Sequence, residues 1–237
     1  MLNVSVLTLF PELFPGPLGI SVLGRALSNN LWNLQVVDIR KFANDKYKSV
    51  DDYSIGGGAG MIFKPDVLGA AIEDTIGRVK NNSRIVYLSP RGQVFNQKMA
   101  GQLLSTTNLI FICARFEGID QRVIDHYQIE EISIGDYILT GGEVAAFAIL
   151  ESCIRLIPGV LGADESIKDE SFSSGTEYEC LLEYDQYAKP VDWKGIRAPN
   201  VLLSGNHKDI QDWRFNNACK RTQERRPDLW KLYMKKR

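Results

Sequence analysis

Residues 109–143 read LIFICARFEGIDQRVIDHYQIEEISIGDYILTGGE, and their punctuation decides the fold. An apolar run, Leu109–Cys113, stops at a Gly-bearing turn, Ala114–Asp120. Asp120–Tyr127 then spaces its apolar residues by three and four, Glu131–Ile134 forms a second short run, and Gly141-Gly142 opens onto Glu143–Ile157. Short apolar runs bounded by turn residues read as buried strands, and a 3.6-residue period reads as a helix. Strand, helix, strand, helix predicts an α/β domain with a parallel sheet covered on both faces.

Towards the N-terminus the alternation continues, with strands expected at Asn3–Phe10, Asn33–Ile39 and Arg84–Leu88 and helices at Ile20–Leu27, Pro65–Val79 and Gln97–Leu104. Towards the C-terminus, Glu143–Ile157 is nearly apolar on all sides, which suits a core or an interface. The composition then changes. Leu161–Gln186 carries eight acidic residues with Lys168 as its one base, and the apolar period vanishes. Gly162–Gly175 reads as a linker or flap. Two helical stretches follow, Asn206–Cys219 and Pro227–Met234, with Pro227 suited to a first turn. The expected plan is an α/β domain over 1–161, a flexible linker over 162–175, and a small basic helical domain over 176–237.

The charge supports this division. Across 237 residues the net is −1, which argues against a nucleic-acid partner for the chain taken whole. Residues 205–237, however, hold ten Lys/Arg and four Asp/Glu, a net of +6, and the remainder carries −7. A hydrophobic share of 44% with 24% charged residues excludes a disordered or fibrous chain. Cys113, Cys153, Cys180 and Cys219 lie far apart, and with His126 and His207 alone no structural zinc site is expected. The apolar start is broken by Pro11 and Glu12 and has no basic leader, so it reads as a strand. No apolar run approaches the roughly 18 residues needed to span a bilayer. A cytosolic, soluble protein is the expectation, and the sequons at Asn3 and Asn81 then carry little meaning.

Ligands of open parallel sheets bind beyond the carboxyl ends of the strands. Three strand ends carry Gly or Pro: Tyr87-Leu88-Ser89-Pro90-Arg91-Gly92, read as a turn, then Cys113–Asp120, then Ile134–Glu143. Such residues let backbone groups approach an adenine edge or ribose hydroxyls closely. The dinucleotide fingerprint is absent after the first strand, and there is no P-loop and no nucleophile elbow. Gly56-Gly57-Gly58-Ala59-Gly60 has no convincing strand before it and reads as a flexible loop.

Together these stretches resemble the bacterial tRNA (guanine-N1)-methyltransferases of the TrmD type. The resemblance lies in Tyr87-Leu88-Ser89-Pro90, Arg115-Phe116-Glu117-Gly118-Ile119-Asp120, Ser133–Glu143, Gly56–Met61, Ile157–Gly162 and Val201–His207, in one register from Met1 to about Leu229. It implies a deep trefoil knot of the SPOUT class, S-adenosyl-L-methionine as methyl donor, tRNA as substrate and a homodimer whose active site is shared between subunits. By position it places donor contacts on Tyr87, Leu88, Ser89, Pro90, Ala114, Glu117, Ile134, Gly135, Asp136, Tyr137, Ile138, Leu139, Gly141 and Gly142. Ala114 stands where family members usually have Gly, and Phe116 where they have Tyr.

Guanine N1 carries a proton, so methylation there needs a general base, and charge developing on O6 needs a cation. The resemblance implies Arg155 as the cation and Glu170 as the base, because Glu170 directly precedes the Ser171-Phe172 pair. Asp169 serves instead if the flap shifts by one residue. For tRNA it implies Arg115, His207, Lys208, Arg214, Lys220 and Arg221, the last four on a basic face with Arg225, Arg226, Trp213 and Trp230. Magnesium is implied as a possible aid, with no dedicated ligand cage. The expected reaction is methyl transfer to N1 of guanosine 37 of tRNA. A knotted ribose 2′-O-methyltransferase and a non-catalytic tRNA-binding protein are the alternatives.

Overall fold

The computed structural model describes residues 1–79, 83–162 and 169–236. It forms two compact units, Met1–Gly162 and Ala163–Arg237. The Asn81 sequon and residues 163–168 of the expected linker lie outside the described residues.

The first unit runs β1 (Leu2–Thr8), α1 (Ser21–Ser28), β2 (Trp32–Asp38), β3 (Asp51–Tyr53), β4 (Met61–Phe63), α2 (Pro65–Arg78), β5 (Ser83–Val94), α3 (Gln97–Leu103), β6 (Asn108–Ile112), α4 (Gln121–Tyr127), β7 (Glu130–Ser133) and α5 (Glu143–Ile154). Its main sheet has the order β2-β1-β6-β5-β7, and every neighbouring pair is parallel. The central strand β6 shows why. All five of its residues, NLIFI, are buried. Alternate side chains leave a strand on opposite faces. Leu109 and Phe111 accordingly join the core containing Ala146, Ile149 and Leu150 of α5, while Ile110 and Ile112 join the core containing Leu68 and Ile72 of α2. Each such side chain contributes roughly 1.5–3 kcal/mol by leaving water. Side-chain oxygens of Asn96 and Asp120 cap α3 and α4.

Two expectations need correction. The stretch Tyr87–Gly92 is not a turn that ends a strand. Leu88 and Gln93 both pair with Ile132 of β7, so residues 89–92 bulge out within one longer strand. Pro90 has no N–H to give to the ladder. A Cβ on Gly92 would lie 2.3 Å from the backbone of Glu131 and Ile132, so the chain returns by pressing bare backbone on β7. The glycine-rich segment 56–60 is a loop as read, but a strand does precede it: it joins the antiparallel pair β3 and β4. Strands of three residues are too short for periodicity to reveal.

The second unit contains β8 (Asp192–Trp193), β9 (Ile196–Arg197), α6 (His207–Arg225) and α7 (Pro227–Lys236). Tyr178, Cys180, Leu181, Ala218 and Tyr233 form its core. The buried Thr222 hydroxyl accepts from Leu182 N and donates to Ala218 O, both at 2.8 Å. Helix α6 continues six residues past Cys219. The apolar period stops there, but Lys220–Arg225 remains rich in good helix formers. Residues 169–173 are tied to this unit: Phe172 N donates to Leu181 O at 3.1 Å, and Glu183 N to Ser171 Oγ at 2.8 Å.

Gly92→Ala should lower the urea midpoint of the first unit, at a cost of about 1–3 kcal/mol for overpacking. Gly77→Ala, where a Cβ meets nothing within 4 Å, should leave the midpoint unchanged or raise it.

Candidate functional site

The carboxyl ends of β6, β5 and β7, adjacent in the sheet, open onto a cleft of about 240 Å³. Its walls include Tyr87, Leu88, Ser89 and Pro90 from β5, and Ala114–Gly118 from the loop after β6. Ile134, Gly135 and Tyr137–Gly142 come from the loop after β7, with Ala145 from α5. Every residue nominated for the donor lines this cleft except Asp136, which is exposed beside it.

Each wall is held by a close fit. Tyr87 is buried, and burial pushes its phenol up. A Cβ on Gly118, at φ +108, would lie 2.6 Å from the Tyr87 hydroxyl. Phe116 adopts φ +60, a left-handed conformation costly for a bulky residue, and its ring stands 5.7 Å from that of Phe63. The β3–β4 hairpin docks here: Glu117 N donates to Met61 O at 2.9 Å, and Phe63 N to Gly118 O at 3.1 Å. A Cβ on Gly60 would lie 2.6 Å from Glu117 Cγ, so the glycine-rich segment borders the cleft beside that carboxylate. The sequence reading missed this placement, because it depends on a pairing between distant segments. On the third wall, Gly142 N donates to Ala114 O at 3.1 Å, and a Cβ on Gly142 would come within 2.9 Å of Cys113 Cα.

The result is a slot with apolar side chains and glycine-bearing loops for walls, and Glu117 as an exposed carboxylate. Such a site suits a nucleoside-like ligand. Arg115 is turned away from solvent. Its Nη2 lies 3.0 Å from Glu143 Oε2, and Nη1 donates to Thr140 O at 3.2 Å. Arg155 follows the last turn of α5, where the helix dipole favours a cation, and is half-buried. Among the described residues, no group of three or more His, Cys, Asp or Glu side chains could hold a metal ion.

Asp169 and Glu170 belong to the second unit, and both are half-buried. Burial, and then the charge of Asp169, push the Tyr178 phenol up to about 12. His207 and Lys208 open α6 and are exposed, with Asn206 capping at Lys208 N. Lys220 is exposed and faces Glu224 at 3.9 Å. Two further nominees are engaged within the unit. The Arg214 guanidinium stands 4.9 Å over the Tyr184 ring, and Arg221 pairs with Asp185, which also binds Asn217. Trp193, 59% exposed beneath the Lys194 ammonium, adds an aromatic and cationic surface that lay outside the basic stretch counted from sequence. No helix among the described residues is long and apolar enough to cross a membrane.

The family model described as tRNA (Guanine-1)-methyltransferase TrmD matches residues 2–232. The chain is 53% identical to the tRNA (guanine-N(1)-)-methyltransferase of Ehrlichia canis (strain Jake), over 96% of this chain and 95% of that protein. It is 51% identical to the protein of that name from Ruegeria sp. (strain TM1040), over 98% and 93%. For the one from Wolbachia pipientis wMel the identity is 50%, over 96% and 94%.

The Arg221–Asp185 pair yields a pH prediction. The Arg221 guanidinium holds the Asp185 carboxyl below the usual carboxylate range. A depressed folded-state value stabilises above the unfolded value, near about pH 4, and the benefit is lost as pH falls through the folded value. Thermal melts read by tryptophan fluorescence should show the second unit weakening below about pH 4. Asp185→Asn should melt lower than the parent at neutral pH and show a flatter acid limb.

Proposed function

The chain belongs to the tRNA (guanine-1)-methyltransferase family, and from that premise we propose that it transfers a methyl group from S-adenosyl-L-methionine to N1 of guanosine 37 of tRNA, beside the anticodon. The observation that carries the reading is the cleft at the β6-β5-β7 edge, where glycine-bearing loops and apolar side chains form one slot. The residues present fit the donor. Leu88, Ile134, Leu139 and Ala145 offer apolar faces for an adenine ring, and Glu117 offers a carboxylate for hydroxyls or cationic charge. Bound there, S-adenosylmethionine supplies an electrophilic methyl group.

The remaining chemistry belongs to side chains. Glu170 accepts the N1 proton as attack develops, with Asp169 as the alternative acceptor, and Arg155 stabilises the charge gathering on O6. Arg155 is suited to this by its place at the carboxyl end of a mostly apolar helix. The active form is a homodimer in which the 162–175 segment of one subunit serves the cleft of the other. An apolar strip on α5 supports a partner: Val144 is 61% exposed, and Ala148, four residues on, is also exposed. The first unit takes the deep trefoil knot of the SPOUT class, a reading supported by membership of the family. The small helical domain grips tRNA through His207, Lys208, Arg214, Lys220 and Arg221, and the enzyme works in the cytoplasm. Magnesium, where it aids the reaction, has no dedicated cage of three or more His, Cys, Asp or Glu side chains among the described residues.

Labelled methyl donor incubated with tRNA transcripts bearing G or A at position 37 tests the reading. Label should enter the first alone, and equal or absent labelling would overturn it. Glu170→Gln should lose about 10²–10³-fold in turnover while keeping donor affinity. If Asp169→Asn alone is inactive, the base is Asp169. Arg155→Ala should slow methyl transfer by a similar factor and leave donor affinity within about twofold.

A further inference from the structure

Arg115 sits on a wall of the cleft, but its charge points into the protein. Beyond the contacts with Glu143 and Thr140, its guanidinium carbon stands 4.5 Å over the Phe10 ring. Glu143 is the first residue of α5, its side chain is 2% exposed, and it accepts from the Thr8 hydroxyl at 2.8 Å. The 3.0 Å contact between Nη2 and Oε2 is ionic and lies off hydrogen-bond alignment. One arginine therefore joins the end of β1, the loop after β6 and the start of α5.

The segment most affected is the loop between β7 and α5. Its outer residues have little to pack on, with Ile138 81% exposed and Tyr137 54% exposed. Its return to the helix is tied down by Gly142 N on Ala114 O and by Thr140 O on Arg115. A Cβ on Gly141 would lie 2.2 Å from Arg115 Nε, so the guanidinium is flush against the loop backbone. A buried charge pair is costly to assemble and can serve to fix one geometry among several.

We infer that Arg115 is a positioning residue: through Glu143 and Thr140 it fixes the Leu139–Gly142 wall for the methyl donor, and it contacts neither donor nor tRNA. This rests on the reading of the cleft as the donor site. Calorimetric titration of S-adenosylmethionine without tRNA, and tRNA titration in parallel, on the full chain and on Arg115→Met, Glu143→Gln and the double variant, tests it. Each single change should weaken donor binding on the order of tenfold, and the double should be no weaker than either, because both break one linkage. Affinity for tRNA should stay within about twofold of the parent. Glu143 is enclosed, so a loss on its substitution cannot come from a direct ligand contact. Additive losses in the double variant would overturn the inference, as would intact donor binding with weakened tRNA binding. If Arg115→Met does not fold, the isosteric Glu143→Gln decides alone, and unchanged donor affinity would overturn the inference. Failure of the unaltered chain to bind donor would instead overturn the reading of the cleft.

Discussion

Backbone is packed against backbone at the carboxyl edge of the sheet, and the cleft exists because glycine permits it. Gly92 returns β5 onto β7, Gly142 lays the start of α5 against Cys113, and Gly141 lies flat on the Arg115 guanidinium. At each of these a single methyl group would collide with atoms 2.2–2.9 Å away. The fits place three loops around one slot, with Gly142 N bonded to Ala114 O to join two of them. The buried strand β6 is the anchor for this arrangement, because its two faces are claimed by separate cores and it cannot slide.

The cleft holds apolar surface, backbone edges and one exposed carboxylate, but no nominated proton acceptor. Those acceptors, Asp169 and Glu170, belong to the other unit. Under the proposed function, binding the donor and removing the proton fall to different units of the chain, a division that suits an enzyme completed by a second subunit. Charge divides similarly. In the second unit several cations meet acids of the same unit: Arg221 with Asp185, Arg226 with Asp228, Lys236 with Glu179. A count of basic residues overstates the grip on a polyanion where guanidinium groups are already engaged internally.

Much of the fold was legible because its strands are buried on both faces and its helices are regular. Leu109–Cys113 needed no context to read as a buried strand. The β3–β4 and β8–β9 hairpins were not legible, since two or three residues carry no period. The bulge in β5 was missed because Pro90 and Gly92 are common turn residues, and only the pairing of both Leu88 and Gln93 with Ile132 distinguishes a bulge from an ending. Within the site, the lining residues could be named from loop composition and resemblance. The inward turn of Arg115 could not, because its partners Glu143 and Phe10 lie 28 and 105 positions away in the chain.

The sequence by itself determined the strand and helix alternation, the buried strand at 109–113, the uneven charge and the glycine-bearing loops, because these follow from local composition and period. Only the tertiary structure decided which loops become neighbours, that the Gly56–Gly60 segment borders Glu117, and that Arg115 serves an ion pair with α5. Those depend on strand order and on contacts across many tens of residues, where no local propensity acts.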